Sequence, residues 1–114
     1  MAYVKLGRAV EIPPGRTKFV RAGACPVILA NYQGRICALH GVCPHQNNLL
    51  EGATLWDSFL DCPYHHFQFD VRTGENHFPK NVYPKDIPHL EAQTRPLRTY
   101  AVEVRNGDVW VDLG

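Results

Sequence analysis

The amino-acid sequence predicts an all-β protein, built as an antiparallel β-sandwich or a small barrel. Short apolar segments recur along the chain and are separated by turn-forming pairs of Gly, Pro and Asn. The segment from Tyr100 to Arg105 places large apolar side chains at every second position, as a half-buried strand does. No segment shows a convincing period of 3.6 residues, which would indicate a helix. Evenly spaced short strands are typical of sandwiches and small barrels.

Eight strands are expected, each defined by a short run of apolar or β-branched residues. In chain order they lie near Val4 to Leu6, Thr17 to Val20, Val27 to Ala30, Arg35 to Leu39, Phe59 to Asp61, Phe67 to Asp70, Arg98 to Val104 and Val109 to Asp112. The turns between them fall at Pro13-Pro14-Gly15, Gln33-Gly34, Arg72-Thr73-Gly74 and Asn106-Gly107. The Asn-Gly pair is the strongest of these signals for a two-residue hairpin.

Two cysteines, Cys25 and Cys37, fall on or beside a predicted hairpin that turns through Asn31 to Arg35. This hairpin pairs Cys37 with Leu29 or Ala30 and leaves Cys25 several residues beyond that pair. The two thiols are therefore expected to be separate, reduced and partly buried.

Length and charge limit the classes of function. A chain of 114 residues predicts one domain, residues 1–114, with a single core. No apolar run approaches the roughly 18 residues of a membrane span, and no N-terminal signal is recognisable, so a cytoplasmic protein is expected. Twelve Lys and Arg oppose eleven Asp and Glu. This balance predicts neither a nucleic-acid nor a membrane partner.

Two short loops carry the residues that indicate chemistry. The first is Cys43-Pro44-His45; after sixteen intervening residues comes Cys62-Pro63-Tyr64-His65. Neither loop alone supplies four donors, so the fold must bring them together around a shared group. A [2Fe–2S] cluster fits this set, with Cys43 and Cys62 on one iron and His45 and His65 on the other. Two neutral imidazoles in place of two thiolates make reduction easier.

Other readings of the four residues are weaker. A zinc site of this composition usually opens with two Cys spaced by two to four residues and closes with two His, and neither spacing occurs here. A haem attachment needs Cys-x-x-Cys-His, which is absent. A disulfide between Cys43 and Cys62 would leave the matched histidines unexplained.

With these loops the chain resembles the Rieske ferredoxins, which supply electrons to bacterial ring-hydroxylating dioxygenases and toluene-type monooxygenases. Gly52 and the segment Phe67 to Gly74 support the resemblance, which covers nearly the whole chain. It implies a Rieske-like fold in which a small three-stranded cluster-binding subdomain, about residues 40–70, carries both loops on an antiparallel base. It also implies an electron carrier, not an enzyme, that takes single electrons from a flavin-containing reductase to a terminal oxygenase.

The chain departs from the higher-potential branch of that family. Where that branch has a pair of clamping Cys, this chain has Asn48 and Tyr64, and where it has a Ser and a Tyr that donate hydrogen bonds, this chain has Phe67 and Phe69. Fewer donors to the sulfurs disfavour the reduced state. We therefore expect a midpoint potential of about −150 to 0 mV, at the low end of the Rieske range.

His66 stands where these ferredoxins commonly have Gly. It is expected to be a solvated surface side chain, and the alternative is that it replaces His65 as a ligand. Residues 76–96, with four prolines, are expected to form an Ω-loop that packs on the base, and the alternative is a loop that recognises a partner.

The alternative functions are the small Rieske subunit of a nitrite-reductase-type complex and a zinc-held structural module. The chain lacks the length for a second, mononuclear iron site, and it has no nucleotide-binding glycine motif. A relay between proteins is therefore expected.

Overall fold

The computed structural model describes residues 3–43, 48–63, 66–78 and 95–113. These residues form twelve strands and a single turn of 3₁₀ helix, Ala9–Glu11. The strands are β1 Tyr3–Arg8, β2 Thr17–Ala22, β3 Cys25–Tyr32, β4 Arg35–His40, β5 Val42–Cys43, β6 Asn48–Leu49, β7 Thr54–Trp56, β8 Phe59–Asp61, β9 Gln68–Asp70, β10 Asn76–Phe78, β11 Thr99–Arg105 and β12 Asp108–Asp112. Each of the eight predicted strands is confirmed, with ends that shift by a few residues.

The strands form three antiparallel sheets. A six-stranded sheet has the order β1-β12-β11-β4-β3-β2, and a four-stranded sheet has the order β10-β9-β8-β7. The short strands β5 and β6 pair with each other. The all-β antiparallel fold class is therefore confirmed. In the described part of the chain, no helix is long or apolar enough to cross a membrane.

Strands β3 and β4 are buried on both faces, which explains why their sequences are almost continuously apolar. Val27 and Leu29 point into a cluster formed with β12, whereas Ile28 and Ala30 point into a second cluster on the opposite face. Successive side chains of a strand face opposite sides, so one apolar run serves two cores. The second cluster also contains residues of the four-stranded sheet and both loop cysteines, and we call it the inner core.

Two tight hairpins set the register of the six-stranded sheet, which we call the base sheet. Gln33 and Gly34 join β3 to β4 and both have positive φ, 54° and 93°. Asn106 and Gly107 do the same between β11 and β12, with φ of 52° and 80°. Paired positive φ values match the right-handed twist of the strands, so the Asn-Gly prediction is confirmed.

The four-stranded sheet differs from the expected three strands. The meander β7–β8–β9 accounts for three, and β10 adds a fourth at the edge beside β9. Strand β10 occupies the start of the expected 76–96 loop, so that loop begins later than predicted; its residues 79–94 lie outside the described residues. Leu97, close to where the described chain resumes, is buried, and its amide donates to the carbonyl of Gly74 at 2.8 Å.

The close contact between Gly74 and Leu97 requires a glycine at position 74, because a side chain would not fit there. Its φ is +81°, and a Cβ on its backbone would overlap the carbonyl oxygen of Leu97. Gly15 has nearly the same φ, +84°, but no atom lies within 4 Å of the point where its Cβ would stand. The two glycines therefore separate backbone strain from a steric clash.

We expect Gly15→Ala to lower the free energy of unfolding by about 1–2 kcal/mol, the cost of the left-handed backbone alone. Gly74→Ala should cost at least about 3 kcal/mol, because the contact between Gly74 and Leu97 must open as well. Denaturant unfolding of both variants checks this. Equal losses in the two variants would show that the close approach at Gly74 is not a constraint.

Candidate metal centre

The first predicted ligand loop is the tip of a small hairpin. Cys43 ends β5 and pairs with Asn48 at the start of β6, and residues 44–47 between them lie outside the described residues. The Cys43 side chain is fully buried. The amide of Leu50 donates to the carbonyl of Gly41 at 2.8 Å, which closes the base of the hairpin.

Gly41 brings this hairpin close to the base sheet. Its amide donates to the carbonyl of Pro26 at 2.9 Å, and an added Cβ would meet Phe19, Pro26 and Val27 at 3.0 Å each. The chain can therefore leave β4 tightly against β3 only if residue 41 has no side chain. This close approach places Cys43 in the inner core.

The second predicted ligand loop also joins two paired strands, β8 and β9. Cys62 follows β8 directly, and its amide donates to the carbonyl of Phe67 at 2.8 Å. The amide of His66 donates to the carbonyl of Cys62 at 3.0 Å, so the loop closes on itself before β9 begins. Cys62 is 1% exposed, whereas Pro63 beside it is exposed. The described start of the loop therefore runs from a buried thiol to an exposed proline.

The two loops are brought together at their cysteines. Cys43 and Cys62 both belong to the inner core, and both carry thiols. Thiolates are the ligands that iron–sulfur clusters use, and the apolar surround of these two thiols would keep solvent from a metal bound to them. This donor set fits a [2Fe–2S] cluster. His45 and His65, and with them Pro44, Gln46 and Tyr64, lie outside the described residues, so their ligand role remains a prediction.

The segment between the loops is tied to the base sheet. The hydroxyl of Thr17 on β2 donates to the carbonyl of Ala53 at 2.7 Å. Ala53 in turn donates through its amide to the carbonyl of Leu50 at 3.0 Å. These contacts hold the first loop and β7 against the same edge of the base.

Phe67 and Phe69 stand at the two positions where the higher-potential branch of the family has a Ser and a Tyr as hydroxyl donors. Both side chains are in the inner core with the two thiols, and Phe69 is fully buried. A benzyl group donates no hydrogen bond, so neither side chain can stabilise added negative charge on the sulfurs in that way. The low midpoint potential expected from the sequence stays a prediction.

His66 is an exposed side chain, as predicted, and it also makes a specific contact. Its imidazole is 76% exposed, and its Nδ1 lies 2.8 Å from Oδ1 of Asp61, whose side chain is only 11% exposed. Gln68 donates through Nε2 to the other carboxylate oxygen of Asp61 at 3.3 Å. Asp61 was expected only as the end of a strand. The one signal in the sequence that could have indicated a role for Asp61 was its position directly before the predicted ligand Cys62.

Cys25 and Cys37 are separate free cysteines, as predicted. Cys37 pairs with Ala30 across the hairpin, one of the two expected partners. Burial raises the pKa of the Cys37 thiol, which keeps it protonated and unreactive. Cys25 pairs with Ala22 at the far end of β3, and its Sγ lies 3.7 Å from the hydroxyl of Tyr100.

Tyr100 links Cys25 to the strand that leads into the first loop. Its hydroxyl lies 3.4 Å from Nδ1 of His40, at the end of β4. Burial, followed by the contact with Cys25, raises the pKa of Tyr100 to about 12. Burial is also the main cause that lowers the pKa of His40, and the nearby Arg98 guanidinium adds to it. Both groups are therefore neutral in the fold near neutral pH.

A small antiparallel β-fold with two cysteine hairpins that meet in one core defines the Rieske class of iron–sulfur proteins. The sequence pattern of the Rieske [2Fe-2S] domain matches residues 2–100. The chain belongs to this family, and one [2Fe–2S] cluster is its cofactor.

Relatives with stated roles are ferredoxin components. The chain is 30% identical over 113 residues, 99% of its length, to the ferredoxin component of biphenyl 2,3-dioxygenase from Rhodococcus jostii, of which 94% is covered. It is 33% identical over 87 residues to the ferredoxin component of an alkene monooxygenase system from Xanthobacter autotrophicus, covering 75% of this chain and 71% of the relative.

Solved structures that are similar to this chain also include ferredoxins. One is a complex of reduced oxygenase and oxidised ferredoxin in carbazole 1,9a-dioxygenase, with a TM-score of 0.75 at 28% identity over 96% of this chain and 91% of the other. A ferredoxin of Sphingomonas yanoikuyae B1 has a TM-score of 0.77 at 20% identity over 99% and 100% of the two chains, which supports the fold alone. The predicted fold, family, cofactor and electron-carrying role are confirmed.

We expect Phe69→Tyr to raise the midpoint potential, because a hydroxyl donor there would stabilise the reduced state. About 40 mV corresponds to each kcal/mol of preferential stabilisation for one electron. Phe59→Tyr, in the same four-stranded sheet but outside the inner core, is the matched control and should leave the potential unchanged. A lower or unchanged potential in Phe69→Tyr would contradict the assignment of this position.

The lowered pKa of His40 predicts a pH dependence of stability. Below the ordinary pKa of 6.5 the unfolded chain binds a proton that the folded chain resists, so stability falls as the pH falls through that value. The loss in unfolding free energy between about pH 7.5 and 5.5 should therefore be smaller in His40→Gln than in the wild type. Equal losses, measured by thermal unfolding in both buffers, would exclude this role for His40.

Proposed function

We propose that this protein receives single electrons from a flavin-containing reductase and delivers them to a terminal oxygenase. One [2Fe–2S] cluster, held by Cys43, His45, Cys62 and His65, would store the electron. The observation that carries the proposal is the pair of matched hairpins whose cysteines share one buried core. Sixteen residues of loop and strand separate the first histidine from the second thiol. The ferredoxin names of the relatives support the proposal.

In this proposal, different residues hold the two sides of the cluster. The buried thiols of Cys43 and Cys62 hold the inner side, and the inner core excludes water from it. His45 and His65 would hold the outer side, and Pro63, between the second thiol and its histidine in the sequence, is exposed. When bound, the cluster supplies reversible one-electron chemistry.

The partners are assigned from the relatives and from the surface. A related ferredoxin has been solved in complex with its oxygenase, and we infer that this chain docks on an oxygenase through the end that carries the two loops. Leu49 is half-buried beside the first loop and Pro63 is exposed in the second, which provides a small apolar contact. Electron-transfer contacts are small and transient, so a patch of this kind is sufficient.

Location and domain organisation follow from the same proposal. We place the protein in the cytoplasm, where thiols stay reduced and clusters are assembled. We also propose that residues 1–114 act as one domain, with the cluster-binding part at about residues 40–70.

Protein made with iron supplied and air excluded should be coloured, contain two iron and two sulfide per chain, and accept one electron. Cys43→Ser and Cys62→Ser should each abolish the visible absorbance, because each removes a thiolate. The matched control is Cys25→Ser, a half-buried cysteine outside the inner core, which should keep the colour. A colourless wild-type protein, or one that contains zinc only, would overturn the proposed function.

The histidine assignment has its own test. His45→Ala and His65→Ala should each bleach the protein, whereas His66→Ala should retain the greater part of its absorbance. The reason is that Nδ1 of His66 is engaged by Asp61 and its ring faces solvent. Bleaching in His66→Ala together with full colour in His65→Ala would reverse the assignment.

A further inference from the structure

The backbone at His66 is in a conformation that a side chain disfavours. Its φ is +56°, in the left-handed region. For a residue with a Cβ this region is less favourable than the right-handed one, and glycine avoids that cost. A glycine at position 66 would therefore fit the loop backbone better than histidine does. The imidazole must contribute something that offsets the difference.

The contact with Asp61 is the contribution that the structure shows. A carboxylate only accepts hydrogen bonds, so the Nδ1–H of His66 donates to Oδ1 of Asp61 at 2.8 Å. The carboxylate is nearly buried and is held from its other side by Nε2 of Gln68 at 3.3 Å. Asp61 and Gln68 are paired residues of β8 and β9. The imidazole is thus attached to the rigid end of the sheet.

The two ends of this contact enclose the second ligand loop. Asp61 immediately precedes Cys62, and His66 immediately follows His65. Within the same loop, the amide of His66 donates to the carbonyl of Cys62, and the amide of Cys62 donates to the carbonyl of Phe67. These backbone bonds join Cys62 to the segment after the loop. The side-chain bond adds a further closure that spans both predicted ligands.

We propose that His66 and Asp61 form a clamp that positions the second ligand loop, and that His66 is a positioning residue for the cluster and not a ligand. The inference rests on the proposed function, because the loop it positions is the one assigned to hold iron. Closing the loop before the cluster binds lowers the entropy lost when Cys62 and His65 are fixed on the metal. The clamp therefore slows loss of the cluster.

The substitution His66→Gly separates the clamp from backbone strain, since the two effects have opposite signs. It relaxes the left-handed backbone, so a loop governed by strain alone would hold the cluster as well as the wild type or better. It also removes the imidazole, so a loop governed by the clamp would release the cluster faster. We expect His66→Gly to lose its visible absorbance about tenfold faster in excess chelator, as breaking a charge-assisted hydrogen bond predicts.

Variants at Asp61 complete the test and distinguish loss of the clamp from a general folding defect. Asp61→Ala should show the same acceleration, and adding His66→Gly to it should change the rate by less than about twofold, since the two residues act as one unit. Asp61→Asn keeps an acceptor oxygen and should recover part of the wild-type rate. The matched control is Gln33→Gly, at φ +54° in a hairpin of the base sheet, which should not alter the rate.

The EPR spectrum of the reduced protein supplies a readout that a purely structural role would not move. A loosely held loop samples several ligand geometries, so the lines of His66→Gly should be broader than those of the wild type and of Gln33→Gly. His66→Gly with an unchanged or slower loss of cluster, or additive effects at Asp61 and His66, would overturn the clamp and leave the proposed function intact. A wild-type protein that takes up no cluster would overturn both.

Discussion

The whole arrangement depends on one constraint: two thiols from separate hairpins must be held in the same water-free core. Cys43 and Cys62 meet there because β3 and β4 are buried on both faces and offer one face to the loops. Gly41 makes this possible by letting the chain turn directly onto β3. The base sheet is therefore the support that places two sulfurs from distant loops in one core.

The same core sets the chemical character of the site. Phe67 and Phe69 fill it with apolar surface and offer no donors to the sulfurs, which favours a low potential. At the outer edge, Asp61 accepts hydrogen bonds from His66 and Gln68. The site thus has a dry inner side and a hydrogen-bonded rim, and the exposed Pro63 beside it can contact another protein. This division suits a relay of single electrons.

The fold was predictable from the sequence where the signals are local. The base strands carry apolar runs, and Asn106-Gly107 fixes its hairpin by its own dihedral angles. The strands β5, β6, β7 and β10 were missed, because two or three residues such as Asn48 and Leu49 become a strand only when the surrounding fold supplies a partner. The spacing singled out Cys43 and Cys62, which meet in the inner core; their role as ligands stays a prediction. The bond between Asp61 and His66 was not predicted. It depends on the left-handed backbone at His66, and the adjacent sequence does not indicate that conformation.

The central claim, a cluster with sulfur on its inner side and nitrogen on its outer side, is tested most directly by pulsed EPR of the reduced protein. Protein grown with ¹⁵N-labelled histidine should show two strongly coupled nitrogens that change isotope with the label, one from each loop. Strong coupling to a single histidine nitrogen, or to none, would contradict the ligand set and with it the account of how the two hairpins share one cofactor.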